Sequence, residues 1–332
     1  MLNPNPMGLV QFGSFSVSAA QQIQNFIQSQ GFGTSGNVYY CNPASGNDLN
    51  NGLTPASAVQ TPAAGYALLT SGNNDILVLV GNGATTGSAR LSSGFTWAKN
   101  AAHLIGVAPP SVTCNYCRIA PTSGVTAFAN FFTVSGNGCV FKNLEFWHGF
   151  STGIAAMICL TVTGQGNCFI NCHIAGMGDA ASAVSSTSRC VLLSGTGASD
   201  NYFGNCAIGV DIVVRTSANA TVEIAGNAPR TIFENCYFPV YSSDGNQYIL
   251  LVAAASGLDR WVMFKGCMAT AFVGGTALGN FASLAAGCGG ILILDSTTGL
   301  YNITAIGVAG TKSQTFVSGA TSTGGVRGIV AS

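Results

Sequence analysis

The chain has 332 residues, 48% of them hydrophobic and only 7% charged, against roughly 25% charged in an ordinary soluble domain. That balance excludes a disordered chain. Eleven basic residues against eleven acidic ones leave no basic surplus for a nucleic-acid partner, and a neutral, sparsely charged surface favours a part that works inside an assembly.

The opening residues, Met1-Leu2-Asn3-Pro4-Asn5-Pro6, have neither the basic nor the apolar region of a secretory signal. Residues 1–15 read as an extended arm, because Pro4, Pro6, Gly8 and Gly13 oppose a helix. Ser16 to Gln30 predicts an amphipathic helix with Val17, Ala20, Ile23, Phe26 and Ile27 on one face and Gly31 ending it. Thr61-Pro62 predicts a second, short helix, with a capping threonine and a first-turn proline. It leads through Gly72-Asn73-Asn74 to a strand over Ile76–Val80. Cys114 and Cys117 form a lone pair at CxxC spacing with no second pair, so neither a metal nor another cofactor is expected. Ala271 to Leu294 is the longest uncharged apolar stretch. Its six glycines make it Gly-rich turns between buried strands, and no membrane contact is expected. The expected divisions are an arm and helix over 1–36, a body over 37–310 and an extended tail over 311–332.

Within the body, five segments align without gaps: Phe141-Lys142-Asn143-Leu144-Glu145-Phe146, Phe169-Ile170-Asn171-Cys172-His173-Ile174, Phe203-Gly204-Asn205-Cys206-Ala207-Ile208, Phe233-Glu234-Asn235-Cys236-Tyr237-Phe238 and Phe264-Lys265-Gly266-Cys267-Met268-Ala269. Their phenylalanines lie 28, 34, 30 and 31 residues apart. A looser copy, Ile293-Leu294-Asp295-Ser296, puts Ile293 at the Phe position, and His103-Leu104-Ile105-Gly106-Val107 is an earlier relative. A period near thirty predicts a solenoid, and segments rich in Phe, Ile and Cys without a 3.6 period predict stacked strands. Each Phe then points inward, each Asn or Gly takes a left-handed turn, and Cys172, Cys206, Cys236 and Cys267 point inward again as buried free thiols. The turn asparagines are expected to bond to one another along the axis. The outward columns set Glu145 beside His173 and Glu234 beside Lys265 as surface pairs.

These segments resemble the right-handed parallel β-helix, or pectin-lyase-like, superfamily, at the turn between its second and third sheets. Val38-Tyr39-Tyr40-Cys41-Asn42-Pro43, followed by Gly46-Asn47-Asp48-Leu49-Asn50-Asn51-Gly52-Leu53-Thr54-Pro55, is similar to the opening of many proteins of that fold. The resemblance implies an all-β, right-handed parallel β-helix solenoid with short N-terminal helices. One of those helices would plug the open end of the first coil. It implies little about function, since the fold serves lyases, hydrolases, adhesins and phage virion proteins. Phage members resemble trimers, so a homotrimer is expected.

An enzyme of this superfamily needs clustered carboxylates, and the eight Asp and three Glu here are scattered, with no Asp-Asp pair and no Gly-His-Gly. Glu145, His148, His173 and Asp179 are the candidates for an acid–base cluster; the simpler reading is a solvated patch with one Glu–His contact. Trp97, Trp147 and Trp261 are sugar platforms or packing residues. The expectation is a chain without catalytic residues: a virion structural protein of a tailed phage, as a capsid decoration or a head- or tail-associated spike. Made in the host cytoplasm, it would meet other virion proteins, such as the major capsid protein, through residues 1–36. The alternative is a polysaccharide-binding or polysaccharide-cleaving tailspike or lyase, whose coils would bring distant carboxylates together. A cell-surface adhesin is disfavoured by the absent signal and by the cysteines.

Overall fold

In the structure, a computed structural model, residues 35–81, 89–108, 113, 117–122, 129–149, 156–272, 274–308, 314–317 and 329–330 are described. The arm, the helix expected over Ser16–Gln30, Cys114 and most of the tail lie outside them.

Alternation of apolar and polar residues every second position produces strands, and the thirty-residue period stacks them. Among the described residues the strands form three sheets, which we term A, with eleven strands, and B and C, with eight each. One coil runs through Val140–Lys142 in A, Glu145–Trp147 in B and Ile158–Val162 in C, and returns to A at Cys168–Ile170. Neighbours within the coils are parallel, and Phe141, Phe169, Phe203, Phe233 and Phe264 pair in one register. Their rings are fully buried and stack at 4.7 to 4.9 Å with interplanar angles of 8° to 15°. That spacing is the strand spacing, so the backbone ladder sets the ring stack.

After each Phe the chain must turn sharply from sheet A into sheet B. Asn143, Asn171, Asn205 and Asn235 do so with φ of 57°, 52°, 52° and 53°, and Gly266 with 61°. Their backbone N–H groups donate along the axis to the next coil, Asn171 to Gly204 O at 3.0 Å and Asn205 to Glu234 O at 2.9 Å. The side chain of Asn143 donates back to Gly106 O and Ala108 O. At the corner from C to A, asparagine side chains also bond along the axis, but as acceptors of backbone N–H groups and not amide to amide as expected of the turn asparagines. There Asn137 N donates to Asn100 Oδ1, Gln165 N to Asn137 Oδ1, Cys139 N to Asn167 Oδ1 and Asn167 N to Asn201 Oδ1, at 2.8 to 2.9 Å. At that corner the side-chain oxygens satisfy backbone donors between strands, which would otherwise be left unpaired.

The cysteine column behaves as its sequence positions predict. Cys172, Cys206, Cys236 and Cys267 are buried, and each Sγ donates to the carbonyl of the Phe one coil back, at 3.2 to 3.4 Å. All eleven described cysteines are free. Thr298 takes the next position, its Oγ1 3.1 Å from Phe264 O.

Two register assignments are corrected. Leu294, not Ile293, stands opposite Phe264, and Leu104, not His103, opposite Phe141. Three residues lie between Leu294 and Thr298, where two lie between Phe264 and Cys267. The longer turn is closed by the Asp295 carboxylate, which accepts from Thr298 Oγ1 at 2.8 Å and from Gly266 N at 3.0 Å.

The helix Pro62–Leu68 closes the first coil. Thr61 Oγ1 accepts from Ala64 N, Gly65 rests on Leu77, and the Tyr66 ring lies 4.8 Å from that of the buried Trp97. Before it, the Asp48 carboxylate gathers Gln60 N, Thr61 N and Thr61 Oγ1, fixing the opening loop. At the far end, Gln314–Val317 pairs parallel with Ile291–Leu294, and Ile329–Val330 pairs antiparallel with it. No helix among the described residues is long and apolar enough to cross a membrane.

Candidate functional site

Sheet B carries two of the four candidate residues, Glu145 and His173, on its outer face. Ile119, Phe146, Ile174, Ile208, Phe238 and Ala269 are buried within the solenoid, so the residues before them stand outward in one column: Arg118, Glu145, His173, Ala207, Tyr237 and Met268. A second outward column starts at Trp147 and Ala175.

Glu145 and His173 meet as their register predicts, but they are not a solvated surface pair. Glu145 is 1% exposed and His173 4%. The carboxylate receives Arg118 Nε at 2.7 Å on one oxygen and faces His173 Nδ1 at 3.2 Å on the other. His173 Nε2 lies 3.2 Å from Gly209 O, and the Arg118 guanidinium sits over the Trp147 ring at 5.3 Å. A buried carboxylate is tolerable because the guanidinium compensates it, and removing either partner strands a charge. The second predicted pair, Glu234 with Lys265, is exposed and joined at 2.7 Å.

The other two candidates have separate duties. The His148 ring stacks on Phe131 at 5.0 Å in the corner between B and C. Asp179 caps the short helix Ala180–Ala183, accepting from Ser182 N at 3.0 Å and from Ser182 Oγ at 2.9 Å. Most other carboxylates are similarly committed. Arg230 holds the Asp200 carboxyl well below its ordinary value, Lys265 lowers that of Glu234, and Glu223 takes Arg189 Nε at 2.6 Å. No group of three or more His, Cys, Asp or Glu among the described residues would hold a metal ion. Burial raises the thiols of Cys159 and Cys206 well above the usual range, which disqualifies them as nucleophiles at neutral pH.

Beside His173 lies a cavity of about 390 Å³, lined by Trp147, His173, Gly209, Asp211, Tyr237 and Pro239 together with Thr113, Val210 and Ile212. Burial, and then the charge of Asp211, raise the Tyr237 hydroxyl. The sequence reading missed Asp211 and Tyr237 as site residues. Tyr237 was legible as an outward member of the Glu145–His173 column, one coil beyond Ala207; Asp211 lies in a connecting loop outside the repeat. Arg215 was missed as well. It is fully buried, with Nη1 on Thr221 Oγ1 at 3.0 Å and Nη2 at 3.8 Å from Cys190 Sγ.

Several solved structures are similar to this one. A pectin methylesterase mutant in complex with a hexasaccharide matches with a TM-score of 0.51 and 14% identity, over 83% of this chain and 81% of that one. Pectin methylesterase PemA from Erwinia chrysanthemi matches with 0.50 and 13%, over the same shares. ORF18 of Geobacillus virus E2 matches with 0.40 and 12%, over 93% of this chain and 66% of that one. At such identities the likeness is one of fold alone: the chain folds as a right-handed parallel β-helix, as those two pectin methylesterases do. No protein-family model matches the sequence, and no curated protein does.

Proposed function

We propose that this β-helix is a non-catalytic structural protein of a tailed-phage virion, a capsid decoration or a head- or tail-associated spike that works as a homotrimer. The observation that carries the reading is the fate of its ionisable groups. The candidate acid–base pair is Glu145 with His173, and Glu145 is buried under Arg118, where it neither meets solvent nor faces a second free carboxylate. Paired-acid hydrolysis needs two carboxylates about 5–10 Å apart across an open site.

The surface supports association. Charged residues make up 7% of the chain, and large apolar side chains stand exposed on the outside of the coils, Met268 at 51% and Tyr301 at 55% among them. Reduced, buried cysteines fit synthesis in a host cytoplasm. Residues 1–36 are the segment assigned to other virion proteins such as the major capsid protein.

Removal of residues 1–15 tests this directly. The truncated chain keeps its β-sheet circular dichroism and loses incorporation into particles. Depolymerisation of host polysaccharide by the full chain, abolished by Glu145→Gln, would instead establish the polysaccharide-cleaving alternative.

A further inference from the structure

Sheet A is apolar on its outside as well as within. In its first three strands, Val38–Cys41, Asp75–Val80 and Ala102–Val107, the residues facing the solenoid interior are Cys41, Leu77, Leu79 and Leu104. Those between them face outward, and Tyr40, Ile76, Val78 and Ile105 form a second hydrophobic cluster there, with Val38, Val80 and Val107 packed against it. Tyr40, Val78 and Ile105 stand in one column, which passes to Lys142 in the fourth strand.

This outward cluster is buried: Ile76 and Val78 are 0% exposed, Tyr40 and Ile105 3%. Neighbouring strands do not account for that. Further along the same face, Ile232, Met263 and Ile293 also have strand partners on both sides, and each is only half-buried. Complete burial on the outside of a sheet needs an element lying over it, and here it is reached within a single chain. Among the described residues, Ala58 joins the cluster from a loop beside the edge strand, where Val59 N donates to Tyr40 O.

The cover is legible in the rest of the sequence. Residues 82–88 hold no apolar side chain larger than alanine. Residues 109–116 lead to sheet B, where Thr113 lines the cavity, 123–128 and 150–155 join B to C, and the tail follows the last coil. Ser16–Gln30 is uncharged, and Val17, Ala20, Ile23, Phe26 and Ile27 share one side of its expected helix. Such a helix is about 22 Å long and about 10 Å wide. The face to be covered is about 20 Å along Asp75–Val80 and about 10 Å across three strands. Asn37 N donates to Asp75 Oδ1 at 2.7 Å, so the chain enters beside this face, and residues 31–34 can reach about 13 Å back over it.

We propose that the helix of residues 16–30 lies along the outer face of sheet A, its apolar side on Tyr40, Ile76, Val78 and Ile105 of the same chain. It covers a sheet face, whereas the Pro62–Leu68 helix closes the end of the coil, and it leaves residues 1–15 for a neighbouring protein. This goes beyond the virion assignment and does not depend on it.

Thiol labelling of Val78→Cys in the full chain, read at residue 78 by peptide mass spectrometry, tests the proposal. Labelling is slow in the otherwise native chain. Ile23→Asp with Phe26→Asp speeds it at least about tenfold while circular dichroism stays unchanged. Asn25→Asp with Ser29→Asp, on the opposite side of the helix, leaves the rate within about twofold. Should the first pair unfold the protein, Phe26→benzoylphenylalanine in the full chain carries the test: irradiation joins position 26 to residues 76–80 or 103–107 of the same chain. The proposal is overturned if residue 78 labels fast in the intact chain, if the Ile23 and Phe26 substitutions leave a folded chain labelling as slowly as before, or if position 26 crosslinks elsewhere or to another copy.

Discussion

Single residues hold this solenoid at its corners. Asn205 adopts φ of 52° where the chain leaves sheet A, a conformation costing most L-residues about 1–2 kcal/mol. Asn205→Ala is therefore expected to lower unfolding stability by about 1 kcal/mol. Asn205→Gly, which pays no such strain, should fall within a few tenths of wild type in urea denaturation. A result in which both cost alike would show that the side chain, and not the backbone, matters there. Asp200 provides a pH signature. Its Arg230 partner depresses the folded pKa below the ordinary 3.8, so the bond contributes above that value and is lost as pH falls through the folded pKa. Wild-type stability should therefore decline below about pH 4 more steeply than that of Asp200→Asn, measured by thermal melting across pH 2 to 6.

At the scale of the strand and its stack, the phenylalanine column is the main structural element. Phe203 lies between Phe169 at 4.7 Å and Phe233 at 4.8 Å. Phe203→Leu loses both ring contacts and leaves a void, an expected cost of about 2–4 kcal/mol in denaturant unfolding. Phe264→Leu should cost at least as much, since Phe264 meets three rings, Phe233 at 4.8 Å, Phe281 at 5.0 Å and Phe238 at 5.5 Å. The columns were legible because inward residues must match from coil to coil: Phe, Asn and Cys each recur for a steric reason. The cysteines are expected to react with a thiol reagent only after denaturation, since they are buried and hydrogen-bonded. What the sequence hid is equally specific. Turns of unequal length moved Leu294 and Leu104 by one position. The loops from B to C carry no repeat, so neither Asp211 at the cavity nor Arg215 beneath its loop had a column to reveal it. Asp179 shows the reverse case: its residue type suggested chemistry, and its place ahead of Ala180–Ala183 makes it a helix cap.

For the whole molecule, the balance of charge is the governing fact. Charged residues are few, eleven cations and eleven anions in 332; among the described residues Arg118, Arg189, Arg230 and Lys265 are paired with carboxylates and Asp48, Asp179 and Asp295 are held in turns and caps, which leaves the outside of the coils weakly charged. A surface of that kind is covered by neighbours more readily than hydrated, and a closed ring of copies covers it symmetrically. The proposed virion role therefore rests on an assembled state and on a site without an exposed acid pair. The most direct measurement is co-sedimentation of the purified full chain with particles that lack it, with release of new sugar ends from host polysaccharide followed in the same samples. The account predicts saturable binding to the particles in multiples of three copies and no sugar release. Sugar release without particle binding would contradict it.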